Sequence, residues 1–218
     1  MVQSVQPLIQ CIEQTLLPTL QVVSLNPHQP VVVTHLPPPW SCLGRGNYAA
    51  VFCHPRDRDR VVKVYAPGRP GIEAEAEVYR RLGPHPAYSQ CFHAGDTYLV
   101  LKRLPGTTLY DCAHQGLYIP PQVIDDIDQA LAYARDRGLF PHDVHGRNVM
   151  MHQGRGLVVD ISDFLHRSPC RAWQDVKWAY HWLYQPLLAF CVRRWGLRLP
   201  AWTLDGIRFS YRQFRHWY

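Results

Sequence analysis

The sequence predicts an α+β protein in which strands come first and helices follow. Three observations carry that prediction. Strand-prone apolar runs cluster before residue 101, an amphipathic helical pattern spans Pro121 to Arg137, and Phe140 to Phe164 reads as a loop feeding a β-hairpin. At 218 residues and 47% hydrophobic, the chain can bury a full core as one domain or as two closely packed lobes. A formal charge of +6 favours anionic partners such as nucleotides, nucleic acid or lipid head groups. Seven cysteines make an odd number with no C-x-x-C pair, which argues for reduced thiols and against structural zinc. With neither a secretory signal nor an apolar run long enough to span a bilayer, a soluble, cytoplasmic protein is expected.

The elements come in order along the chain. Val5, Leu8, Ile9, Ile12 and Leu16 share one helical face, so the chain opens on an amphipathic helix stopped by Pro18. Val31 to Thr34 is strand-like, and Pro37-Pro38-Pro39 is a stiff connector. Residues 1–37 therefore form an extension that docks on the domain downstream. In Leu43 to Phe52, Gly44 and Gly46 sit between two strand-prone segments, where glycine lets a hairpin approach phosphate oxygens and offer N–H donors. His54 to Arg60 reads as a polar turn. In Val61 to Tyr65, alternation puts Lys63 on the face of Val61 and Tyr65, a partly buried place where an ammonium needs an anion. Ile72 to Leu82 is a helix that offers Glu73, Glu75 and Glu77. Tyr98 to Leu101 is a strand, and Lys102 to Leu109 a linker. The Pro121 to Arg137 helix opens with proline in its first turn and ends before Gly138, delivering the chain to His142 and Asp143.

Val149 to Met151 and Leu157 to Val159 flank Gln153-Gly154-Arg155-Gly156, a spacer that folds them into a hairpin. Pairing about Gly154 sets Asn148 opposite Asp160, roughly 5 Å apart between Cα atoms. An amide oxygen beside a carboxylate is a hard, oxygen-only site suited to Mg²⁺, and Asp143 arrives at the same end, placed to take a proton from a hydroxyl. A zinc site at His142 and His145 is the weaker alternative, since Pro141 opposes a helix there and no compact third ligand is present.

Asp143, four residues, Asn148 and then Asp160 after a hairpin resemble the catalytic loop and metal-binding aspartate of the protein-kinase-like superfamily. The likeness extends upstream in the required order, over roughly Trp40 to Phe164. It implies a two-lobed fold: a small antiparallel N-lobe sheet with one helix over residues 38–101, then a hinge and a reduced, mainly helical C-lobe over 102–218. It also implies ATP and Mg²⁺ as cofactors. Gly44 and Gly46 would cradle phosphate, Lys63 would clamp it, and Glu75, seven residues before Leu82, would orient Lys63. Ala49 stands where the third glycine falls, and Val51, Leu101 as gatekeeper and Arg103 in the hinge would also line the nucleotide. Asp143 would be the catalytic base, with Asn148 and Asp160 as metal ligands.

The departures from the pattern narrow what is implied. Pro141-His142-Asp143 lacks the arginine that reads a phosphorylated loop, and Asp160-Ile161-Ser162 replaces Asp-Phe-Gly. His145 stands where protein kinases have lysine, as in choline and aminoglycoside phosphotransferases. Asp175, which would brace the catalytic loop, follows Asp160 by only fifteen residues, a reduction shared with RIO and lipopolysaccharide kinases. The reading is a serine/threonine kinase acting on a hydroxyl. Its alternatives are a small-molecule or lipid-sugar kinase and a nucleotide-binding pseudokinase scaffold. Ile207 to Tyr218 interleaves Arg208, Arg212 and Arg215 with aromatics. That pattern fits a terminal amphipathic helix better than a nucleic-acid or membrane-surface contact.

Overall fold

In the computed structural model, residues 4–195 and residue 198 are described. They divide into two compact units: the residues up to Leu104 with Ile161–Leu165, and Pro105–Asp160 with those from His166 onward.

The first unit is built on a five-stranded antiparallel sheet. Its chain opens with α1 (Gln6–Cys11), which runs into a π-helical turn over Ile12–Leu16. A two-stranded ribbon comes next, β1 (Gln21–Val23) with β2 (Val32–Thr34). The sheet proper comprises β3 (Ser41–Arg45), β4 (Ala49–His54), β5 (Asp57–Tyr65), β6 (Cys91–Ala94) and β7 (Tyr98–Lys102), in the order β3-β4-β5-β7-β6. Helix α2 (Ile72–Leu82) lies between β5 and β6 in sequence. Alternation along the strands sorts their side chains onto two faces. Ala50, Phe52, Val62, Val64, Tyr98 and Val100 belong to one buried cluster with Leu8, Ile9, Ile12, Leu16, Val22 and Val31 of the extension. Ala49, Val51, Val61, Lys63, Tyr65, Leu99 and Leu101 are register partners on the other face. The stripe of apolar residues read at the amino terminus is thus the lid of the sheet's first face.

His54 to Arg60 departs from the expected polar turn. His54 pairs with Asp57, so the turn is only Pro55-Arg56, and Asp57 to Arg60 is the first half of β5. The charges hid a strand because all four residues of this end are charged, with Arg60 pairing with Asp57 at 3.0 Å, which leaves no apolar alternation to read.

The second unit is mainly helical around a three-stranded sheet. Strand β8 (Thr107–Thr108) pairs with β9 (Val149–His152), which pairs with β10 (Arg155–Val158). Helix α3 (Leu109–Gln115) was not expected, although Thr108 accepts the Asp111 N–H as an N-cap and Gly116 ends the helix in the left-handed region. Helix α4 (Pro121–Asp136) buries Val123, Ile124, Ile127, Ala130, Leu131 and Ala134. The expected Trp173 to Tyr184 helix is present as α5 (Ala172–Ala179) running into a π-helix over Tyr180–Leu188, with α6 (Ala189–Trp195) beyond. Trp173 donates to Asp128 at 2.7 Å, and the Tyr180 hydroxyl donates to the Ile119 carbonyl at 3.0 Å. Helix α5 and the π-helix after it are thereby tied to α4 and its approach. No described helix is long and apolar enough to cross a membrane. Ile207 to Tyr218 lies outside the described residues.

Candidate active site

In the first unit, Lys63 sits near the carboxyl end of β5 with Val51 on one side and Leu99 on the other. Its Nζ lies 2.6 Å from Glu75 Oε2, with the Glu75 side chain 1% exposed and that of Lys63 13%. The choice of Glu75 follows from its position on α2: it is the only one of the three glutamates that is buried. Glu77 instead faces solvent, holding Arg80 and Arg81 at 2.6 Å, and these two guanidinium groups pull its carboxyl down to about 2. Burying a carboxylate and an ammonium is costly, and the site offsets this with a further donor, the Tyr65 hydroxyl on Glu75 Oε2. Glu75 Oε1 is buried with no hydrogen-bond partner among the described residues. Sequence reasoning missed Tyr65 as a member of this set, although alternation had put it on the face of Lys63.

The glycines of the β3–β4 hairpin are free of structural demands. A methyl group at Gly44 would meet nothing within 4 Å, one at Gly46 only the Ala49 carbonyl at 3.6 Å, and neither has positive φ. Gly106 and Gly156 are the opposite case, since a Cβ there would lie 2.6 Å from the Met151 carbonyl and 2.4 Å from that of Val123. Gly46 is not a free donor, however, because its N–H closes the turn on the Ala49 carbonyl at 2.8 Å. Ala49, Val51, Lys63 and Leu101 share the face that carries Glu75 as partner. At the end of β7, the Lys102 carbonyl accepts from the Ser89 hydroxyl at 2.6 Å, and the Arg103 N–H extends the ladder to the Asp59 carbonyl at 2.7 Å. Both hydrogen-bonding groups of that peptide are thus committed within the protein.

In the second unit, α4 delivers the chain to a compact loop. Asp143 has φ of 53°, a left-handed backbone that a non-glycine residue adopts only when its surroundings hold it. Its N–H donates to Cys170 Sγ at 3.3 Å, and its carbonyl accepts from the His145 N–H and from Asn148 Nδ2, both at 3.0 Å. The Asp143 carboxylate is 53% exposed, with His145 Nε2 3.6 Å from Oδ2. Because Asn148 spends its amide nitrogen on Asp143, its Oδ1 is left as an acceptor. Arg147 stacks on Tyr110 with its guanidinium 3.6 Å from the ring centre.

The hairpin register differs from the expected one. His152 pairs with Arg155 and Val149 with Val158, and the Val159 N–H donates to the Asn148 carbonyl at 3.0 Å, so Asn148 lies across from Val159 and Asp160 is one residue further on. The turn is two residues, Gln153 and Gly154, with φ of 50° and 76°. Paired positive φ values mark the tight hairpin turn whose twist matches the strands, and it absorbs Arg155 and Gly156 into β10. What anchors this hairpin is Asp126 on α4, which accepts from the Gly156 N–H at 3.0 Å and from Arg155 at 2.7 and 2.9 Å. The Arg155 hydrogen bonds, helped by those of Gly156 and Gln122, hold its carboxyl down to about 2 against the opposing effect of burial.

Cys170, Asp126 and Phe164 escaped sequence reasoning. Cys170, rather than Asp175, braces the loop at Asp143; the Asp175 N–H donates to the Arg171 carbonyl at 3.0 Å, and its carboxylate makes no hydrogen bond to that loop among the described residues. Phe164, in the first unit, is fully buried and meets Tyr88 edge-on at 6.4 Å, while Ile161 is buried in the place of the missing phenylalanine. Its signal was present, an apolar residue one helical turn past Ile161. Cys170 carried none, since it acts through its sulfur on a backbone 27 residues away.

No protein-family model matches the chain. Over 174 residues, 78% of either protein, it is 30% identical to a Bacillus subtilis (strain 168) protein named "Putative serine/threonine-protein kinase YrzF". Among solved structures it is similar to a point mutant of the Mycobacterium tuberculosis PknI kinase domain, with 22% identity, a TM-score of 0.45 and 59% of each chain covered. The 30% identity to the Bacillus protein, over more than two thirds of this chain, shows that the chain belongs to the protein-kinase-like superfamily.

Proposed function

We propose that the protein is an ATP- and Mg²⁺-dependent phosphotransferase that moves the γ-phosphoryl group to a hydroxyl, with serine or threonine of a protein as the acceptor. The observation that carries this reading is the loop geometry at Asp143: an exposed carboxylate on a strained backbone, held in place by Cys170 and Asn148. A scaffold that only bound nucleotide would have no use for that carboxylate. The donor set fits the metal, since Asn148 Oδ1 and the Asp160 carboxylate are hard oxygens that suit an ion keeping most of its shell for water and phosphate. When bound, Mg²⁺ supplies neutralisation of the phosphate charge. Lys63, oriented by Glu75, would neutralise phosphate oxygens on its own side, and Asp143 would hold the acceptor hydroxyl and take its proton as the oxygen–phosphorus bond forms and ADP leaves.

A second reading, a kinase of small hydroxylated molecules or lipid-linked sugars, rests on His145 standing 3.6 Å from the Asp143 carboxylate and on the short run from Asp160 to α5. Purified protein with γ-labelled ATP, Mg²⁺ and cell lysate, beside Asp143→Ala and Asp160→Asn, separates the readings. Label in protein bands that both substitutions abolish supports the first, and label confined to small-molecule or lipid fractions supports the second. ATP binding without transfer would leave a scaffold. Asp143→Ala is expected to reduce transfer by at least about a thousandfold while leaving ATP affinity within about threefold.

A further inference from the structure

Both backbone groups of Gly46 are engaged. Its N–H closes the hairpin turn on Ala49, and its carbonyl accepts the Val31 N–H at 2.8 Å. Val31 belongs to the extension and is 1% exposed, packed in the cluster that seats the extension on the sheet. A second tie reaches the same hairpin from a different part of the extension. Ser24, just past β1, accepts from Arg69 Nε at 2.9 Å and from Nη2 at 2.7 Å, and the Arg69 guanidinium lies 5.4 Å from the centre of the Tyr48 ring. The Tyr48 carbonyl accepts from the Ala66 N–H at 2.9 Å, three residues before Arg69. The tip of the glycine hairpin is therefore held at Gly46 by Val31 and at Tyr48 through Arg69 and Ser24.

We propose that the N-terminal extension is the positioning element of the glycine hairpin, with Val31, Ser24 and Arg69 as positioning residues that order its tip before a nucleoside triphosphate arrives. The proposal rests on the nucleotide reading above. A hairpin with glycines at positions that no packing requires is loose by composition, and ordering it on binding would weaken affinity. The two ties pre-order the tip without touching the ligand, so losing one removes ground-state and transition-state binding alike and appears in KM rather than kcat.

The test uses the full chain with Ser24→Ala, Arg69→Ala and Ser24→Thr, the last keeping a hydroxyl for Arg69. Amide exchange at Gly46 is compared with that at Val62 and Val100 in the sheet, with and without MgATP. In both alanine variants Gly46 exchange should rise about tenfold while Val62 and Val100 hold, Ser24→Thr should match wild type, and KM for ATP should rise about three- to tenfold at constant kcat. Unchanged Gly46 exchange in both alanine variants, with ATP still slowing exchange in the wild type, overturns the positioning role alone. Acceleration spread equally over Val62 and Val100 also overturns it, as a general loss of stability. If ATP leaves wild-type exchange untouched, the nucleotide reading fails first and the positioning role falls with it.

Discussion

Asp126 shows how one buried carboxylate sets the placement of a site it never touches. It sits on α4, 7% exposed, and its hydrogen bonds to Arg155 and to the Gly156 N–H fasten the hairpin whose first strand comes directly after Asn148. With its carboxyl near 2 in the folded protein and near 4 when unfolded, the folded state is the weaker proton binder. The stability it confers is complete above about pH 4 and is lost as pH falls from about 4 to about 2. Allowing for the exposure of Arg155, we expect a loss of about 1 to 2 kcal/mol across that window, absent from Asp126→Asn, in urea titrations at each pH. Glu75 was named through the resemblance, by the family's usual count of seven residues back from Leu82, while strand alternation at Lys63 supplied the local sign that an anion was needed. Cys170 was not legible, because its partner is chosen by the folding of the intervening hairpin rather than by any pattern around residue 170.

At the level of elements, the glycines divide into two groups that composition alone does not distinguish. Gly156 lies so close to α4 that a methyl group would sit 2.4 Å from the Val123 carbonyl and 2.9 Å from Ile127. Gly156→Ala should therefore push β10 off the helix and cost about 3 kcal/mol, read as a lower denaturation midpoint. Gly44→Ala and Gly46→Ala meet open space or ordinary contact, so their stability should stay within about 0.5 kcal/mol of wild type. Under the proposed function those two should still weaken ATP binding in a direct titration. The expected glycine hairpin, strand carrying Lys63, long helix and β9–β10 hairpin are all present as elements, because each announces itself by periodicity or turn chemistry. Their ends and registers moved: β5 began four residues before Val61, and the β9–β10 turn shrank from four residues to two.

Over the whole molecule, the extension contributes to the core. Ile12 and Leu16 are completely buried in the cluster that joins α1 to Phe52, Val62 and Val100 of the sheet, and the Tyr98 hydroxyl donates to Glu13 at 3.1 Å. Each of Ile12→Ala and Leu16→Ala should cost about 2 to 5 kcal/mol in chemical denaturation, a large share of a typical total of about 5 to 15. A loss below about 1 kcal/mol would mean the extension is dispensable to the fold. By itself the sequence determined which residues stand on which face: Leu8, Ile9, Ile12 and Leu16 on one stripe, and Lys63 with Tyr65. Those assignments rest on the two backbone periods of helix and strand, which operate over a few residues. Only the tertiary structure decided where the stripe docks, that Asn148 faces Val159, and which partners Cys170, Asp126, Ser24 and Val31 take: the Asp143 N–H, Gly156 with Arg155, Arg69 and the Gly46 carbonyl. Each of those contacts joins residues far apart in sequence, so it depends on which surfaces close on one another and leaves no period to read.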